Sequence, residues 1–139
     1  MSGMTESPAR AAIFSTRIDV RWGDMDAFNH VNNAQYLRYL EEARIQWLSQ
    51  VGVSITGGSA PVLAASTLNY RKPIQWPSQL RVELFVDRIG NSSMTIGHRL
   101  LSSAEPAALH CDGHVVIVWI DTATGRSVSL PEDLRKAVA

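Results

Sequence analysis

Two carboxylates, an imidazole and three side-chain amides fall between Asp24 and Asn33, in the stretch GDMDAFNHVNN. Loops that only connect elements rarely gather so much polar chemistry, and sites are built on loops held by rigid neighbours. Asp24 and Asp26 could both bond their own turn backbone, as Asp commonly does, and Asp24 is assigned that structural role. Asp26 has a second use, because a helix opens downstream at Asn33. The first turn of a helix carries N–H groups without intrahelical acceptors and a partial positive charge. One such N–H, aimed at an ester or thioester carbonyl, polarises it and holds the oxyanion that develops. A carboxylate facing that carbonyl can attack it, or deprotonate a water that does. Asp26 and the Asn33 N–H are therefore the candidate catalytic pair, and the pair calls on neither a metal nor a serine.

His30 is a candidate helper that would move a proton or orient Asp26, although a lone turn histidine is more often simply hydrogen-bonded. Asn29, Asn32 and Asn33 suit left-handed turn positions and helix N-caps. Asn32 is the candidate cap and, with Tyr36, a candidate substrate contact.

Other constellations fail on context. A strand followed by Asp-x-Asp fits aspartate phosphotransferases, but their first strand is buried on both faces and continuously apolar, whereas this one alternates. His110 and His114 have the spacing of helical metal ligands, yet they sit in a strand pattern, where positions four apart are roughly 13 Å apart. Cys111 shows no partner base and reads as a core thiol. The serine-hydrolase elbow and the phosphate-binding glycine loops are absent.

The elements that must hold the polar stretch are well marked. From Phe14 to Trp22 the residues alternate, with Phe14, Thr16, Ile18, Val20 and Trp22 on one face and Ser15, Arg17, Asp19 and Arg21 on the other. That is a half-buried antiparallel strand. A helix is expected from Asn33 to Val51, with an apolar stripe of Tyr36, Leu37, Leu40, Ala43, Trp47, Leu48 and Val51 and a stop at Gly52. Beyond Gly57-Gly58 come strands at Pro61–Arg71, at Leu80–Asp87 and at Ser92–Ser103, the last two joined by a Gly90-Asn91 hairpin turn. A buried strand at His114–Ile120, a turn at Asp121–Gly125 and a short helix at Pro131–Ala137 complete the pattern. One long helix beside about five antiparallel strands is an α+β domain, in which that helix serves as core for the whole sheet.

The 139 residues suit one domain, read as residues 13–139 behind a flexible leader of residues 1–12. The leader, MSGMTESPARAA, lacks the apolar centre of a signal peptide, and no apolar run reaches membrane-spanning length. Thirteen basic and thirteen acidic side chains cancel, which gives no reason to expect nucleic acid or an anionic membrane as partner. The single cysteine favours a reducing compartment, so a cytoplasmic location is expected.

Strand, then GDMDAFNHVNNAQYLRYLEEAR, then a long helix resembles the 4-hydroxybenzoyl-CoA thioesterase branch of the hotdog-fold acyl-CoA thioesterases. NYRKPIQWPSQLRVELFVDRIGNSSMTI is similar to that family's following strands, and VWIDTATGRSVSLPEDLR to its last strand and closing segment. The resemblance thus runs from Phe14 onward; the first motif is specific, and the others mainly report fold. It implies a hotdog fold, a sheet wrapped around one central helix, and hydrolysis of an acyl-CoA or acyl-carrier-protein thioester with no cofactor beyond the coenzyme A of the substrate. It places the catalytic carboxylate at Asp26 and the polarising N–H at Asn33, whose side chain would tune substrate choice. Asn29 stands where relatives often have glycine, a departure that bears on loop shape. The resemblance also implies an edge-to-edge homodimer with sites at the interface, associating further into a tetramer. Candidate cations for the coenzyme A phosphates are Arg71, Lys72 and Arg88, with Arg99 and Arg126 behind them.

Two other functions fit part of the pattern. One is a hotdog module that binds acyl-CoA without turnover. The other is a hotdog enoyl-CoA hydratase or dehydratase, which resembles a different pattern, an Asp and a His five apart. The acyl group itself, aromatic, short or long, is not written in the sequence.

Overall fold

The computed structural model describes residues 11–139; most of the leader lies outside them. Five strands and two helices follow in the order β1 (Phe14–Asp19), α1 (Asn33–Gln50), β2 (Ser59–Tyr70), β3 (Gln79–Ile89), β4 (Ser93–Ser102), β5 (Leu109–Asp121) and α2 (Glu132–Val138). The strands form one antiparallel sheet in the order β1-β3-β4-β5-β2. The sheet is the expected α+β, hotdog arrangement, curved around α1.

Period-two alternation decides which side chains face the helix. Leu80, Val82 and Leu84 on β3, Met94, Ile96 and Leu100 on β4, and Cys111, Val115, Ile117 and Trp119 on β5 all join the core. They meet a helical stripe of Tyr36, Tyr39, Leu40, Ala43, Arg44, Trp47 and Leu48. The stripe is wider than its apolar spacing predicts: Tyr39 and Arg44 are buried with it, while Leu37 is only half-buried. Leu40, wholly buried, illustrates the stake, since truncating such a leucine costs about 2–5 kcal/mol. Cys111 is a core thiol, and burial first, then the neighbouring Asp112 charge, push it up to about 12.

Both ends of α1 follow their local chemistry. The Asn32 side chain accepts from Ala34 N–H at 2.9 Å, closing the N-cap. Gly52, at φ 81°, takes the left-handed position that ends the helix. The first strand is shorter than its alternation suggests. It ends at Asp19, and Trp22–Asp24 coils into a single 3-10 turn that leaves Trp22 exposed. The cause is Asp24, whose carboxylate accepts from Arg21 N–H at 3.0 Å and turns the chain inward.

Candidate active site

Asp24 closes the strand side of the polar stretch. It is buried, and Oδ2 also accepts from the Tyr39 hydroxyl at 2.7 Å, while its backbone O accepts from Asn32 N–H at 2.9 Å. The acid thus ties the 3-10 turn to α1 and fixes where the helix begins. Tyr39 stays a neutral donor, because burial and then the Asp24 carboxylate raise it far above an ordinary phenol.

Asp26 is half-buried, and a single turn holds it. Its Oδ1 accepts from Phe28 N–H at 2.8 Å and from His30 N–H at 3.2 Å, and its own N–H donates to His30 O at 2.7 Å. Oδ2 takes no donor among the described residues, and Asp26 lines a pocket of about 200 Å³. Asn29 makes the turn with φ 62°, the left-handed region that glycine favours, so the loop has the shape a glycine there would give.

The start of α1 lines the same pocket through Asn33. Asn32 engages both following amides, Ala34 N–H through its side chain and Gln35 N–H through its backbone O at 2.8 Å. The Asn33 N–H, first of the helix, finds no acceptor among the described residues, so the positive end of the helix is expressed there. The segment after β2 lines the pocket as well, through Arg71, Lys72 and Pro73. Val31 N–H donates to Ile74 O at 2.8 Å, drawing that segment against the loop, and Arg71 and Lys72 N–H both donate to His110 O.

Asp26, His30, Asn33, Tyr36, Arg71 and Lys72 all line this pocket, so six of the sequence candidates meet there. Tyr36 packs edge-on against Tyr70, with ring centroids 4.9 Å apart and planes at 83°. Burial, and then the Cys111 thiol, push Tyr36 up to about 12, so it remains a neutral phenol. His30 meets Asp26 through backbone atoms, not through its imidazole.

Four candidates fall elsewhere in the chain. The Asn32 amide is spent on the cap and does not line the pocket. Arg88 sits at the far end of β3, opposite Thr95, and Arg126 lies beyond β5. Arg99 is drawn onto the outer face of the sheet, bonded to Glu83 at 2.9 Å and stacked 4.9 Å over Phe85. Tyr70, Val31 and Pro73 line the pocket without having been singled out from sequence. A wider cleft of about 460 Å³ between β1 and α1 is lined by Arg21, Arg38, Glu41 and Glu42 among others, and no helix N-terminus opens onto it.

His110 and His114 lie on β5 as the strand reading requires. His110 is buried with Nδ1 3.1 Å from Lys72 O, and His114 is exposed.

Comparisons with known proteins agree with this frame. The Thioesterase-like superfamily matches residues 20–138. The long-chain acyl-CoA thioesterase FadM of Escherichia coli is 27% identical over 130 residues, covering 87% of this chain and 93% of FadM. PA2801 of Pseudomonas aeruginosa superposes with a TM-score of 0.88 at 39% identity, over 93% of this chain and 100% of that one. XC229 of Xanthomonas campestris, put forward as an acyl-CoA thioesterase, is 49% identical with a TM-score of 0.76, over 86% of this chain and 100% of its own. The fold is that of the hotdog thioester hydrolases. This chain belongs to the Thioesterase-like superfamily.

Proposed function

We propose that this chain hydrolyses an acyl-CoA or acyl-carrier-protein thioester to the free acid and the thiol, with Asp26 as nucleophile or general base. The observation that carries this reading is that one pocket is lined both by Asp26, whose Oδ2 takes no donor among the described residues, and by Asn33, whose N–H finds no acceptor among them. A thioester carbonyl seated on that N–H would be polarised as charge develops on its oxygen. As general base, Asp26 takes a proton from water, whose oxygen adds to the carbonyl carbon. The tetrahedral adduct then expels the thiolate, which recovers the proton. As nucleophile, Asp26 displaces the thiolate and forms an anhydride that water opens. Two backbone N–H groups fix Oδ1 in either route and leave Oδ2 to react.

His30, at the pocket wall, is the proposed helper, and the Asn33 side chain the proposed selector of acyl group. Tyr36 and Tyr70 offer an aromatic wall, and Arg71 and Lys72 lie exposed at the mouth, where phosphates would meet cations. No cofactor beyond the coenzyme A of the substrate enters the scheme. We also propose a homodimer that pairs again into a tetramer, working in the reducing cytoplasm, where Cys111 stays a thiol.

The test is thiol release across aromatic, short and long acyl-CoAs and an acylated carrier protein, with Asp26→Ala alongside. Turnover that vanishes in the variant supports the reading. Equal rates in parent and variant would remove Asp26 from the mechanism. Tight binding without thiol over hours would mean a binding module, and water addition to an enoyl-CoA a hydratase. Single turnover in oxygen-18 water bears on the two routes: label in Asp26 marks the nucleophilic one, since only water that opens the anhydride at the Asp26 carbonyl leaves its oxygen there.

A further inference from the structure

The lining of the Asp26 pocket divides by chemistry. Arg71 and Lys72 give it cations, while Val31, Tyr36, Tyr70 and Pro73 supply its apolar surface. The cations suit the coenzyme A side of a thioester, so the acyl group has only the apolar part to lie against. Two of those four apolar contacts are tyrosine rings that meet edge to face.

Tyr70 stands where the acyl group must begin. Its hydroxyl lies 3.5 Å from Asn33 O, on the residue whose N–H is proposed to hold the thioester carbonyl. Tyr70 is also the last residue of β2 and pairs with Cys111 of β5, so its side chain spans from the sheet to the first turn of α1. Tyr36 is 3% exposed and belongs to the core, whereas Tyr70 is 49% exposed. A fixed ring thus braces a freer one. Cys111 adjoins both, since burial first and then its thiol raise both phenols. Tyr36 and Cys111 are part of the core between α1 and the sheet, so the pair stands between the pocket and that core. The pocket holds about 200 Å³, less than the roughly 300–1,000 Å³ of sites that enclose a drug-sized ligand.

We propose that Tyr70 sets the limit on the acyl group: its ring, braced edge-on against Tyr36, closes the apolar end of the pocket, so that a ring or a short chain is taken in preference to a long one. An aromatic acyl group adds a third ring to the corner in the offset or edge-on contacts that rings favour. A long chain has to displace Tyr70, which strips Tyr36 of its partner and opens the pocket toward Cys111. Such a limit is sharp, because one methylene more or less in an apolar pocket changes kcat/KM about 10–200-fold. The inference rests on the thioesterase reading given above and names the acyl class that reading leaves open.

Chain-length profiles test it. In the parent, kcat/KM for benzoyl-CoA and hexanoyl-CoA should exceed that for dodecanoyl-CoA about 10-fold or more. Tyr70→Ala should raise kcat/KM for dodecanoyl-CoA about 10-fold, mainly through KM, and lower that for benzoyl-CoA. Tyr70→Phe keeps the ring and loses only the long contact with Asn33 O, so it should keep the parent profile; Tyr70→Leu should fall between. A profile unchanged in both Tyr70→Ala and Tyr70→Leu, with thermal midpoints like the parent's, would overturn the proposal. So would a Tyr70→Phe profile like that of Tyr70→Ala, which would assign the limit to the hydroxyl. The thioethers S-benzyl-CoA and S-dodecyl-CoA cannot be hydrolysed and read the same preference by calorimetry. A parent that binds the benzyl compound more tightly yet releases no thiol would defeat the thioesterase reading and leave this limit standing. A parent that releases thiol but prefers dodecanoyl-CoA would defeat this limit alone.

Discussion

Asp24 and Asp26 are the same residue type two positions apart, and the structure puts them to opposite uses. Asp24 is 4% exposed, and one of its carboxylate oxygens accepts from both the Tyr39 hydroxyl and Arg21 N–H. Asp26 is half in water; two amides of its own turn hold one oxygen, and the other is left open. The difference shows what each acid can contribute. A carboxylate surrounded by donors is committed to the fold, because removing it strands those donors. One held at a single oxygen is positioned and still available to react.

The largest effect that would sharpen this contrast is on Asp26. Asp26→Asn keeps the Oδ1 acceptor and the turn but removes the base, so thiol release should fall about 10³-fold, with a thermal midpoint close to the parent's. Asp24→Ala should behave in reverse. It leaves the Tyr39 hydroxyl and Arg21 N–H unpaired and should lose about 2–3 kcal/mol in urea unfolding, with the folded fraction retaining near-parental turnover. A loss on the same side, about 1.5 kcal/mol, is expected from Tyr39→Phe, which removes one buried hydrogen bond to the Asp24 carboxylate. Asn32→Ala removes the cap and should cost about 1 kcal/mol, read in the same unfolding series. The contrast would break if Asp24→Ala abolished turnover without destabilising, or if Asp26→Asn did the converse.

Much of this division could be read from the sequence. Strict alternation in Phe14–Asp19 and three-to-four spacing from Tyr36 to Leu48 located the strand and helix, and the polar stretch between them had to be their junction. Alternation misled at Trp22, because it cannot register the pull of a buried Asp24 that turns the chain before the pattern ends. Arg44 was hidden for a related reason: a charged residue on a helix reads as solvent-facing until the helix is seen to lie inside a sheet. Tyr70 escaped notice because β2 shifts register between Leu63 and Ala65. Such an irregularity changes which later residues face inward, and parity counted from the start of β2 then fails at its end. Only their charge marks Arg88 and Arg126 as candidates, and charge says nothing of which end of a strand approaches the pocket.

The pairing of Asp26 with the helix N-terminus is most directly tested at Asn33, by thiol release from Asn33→Pro. Proline suits the first helical position, where the N–H has no intrahelical partner. Asn32, at φ −58° and ψ 134°, already has the extended backbone that must precede proline. The substitution therefore deletes the N–H while keeping the helix start, although it removes the amide side chain as well. Asn33→Ala, which keeps the N–H, is the control for that loss. The account predicts that kcat for Asn33→Pro falls about 10²–10³-fold below Asn33→Ala, with equal unfolding midpoints. Equal kcat in the two variants would contradict it.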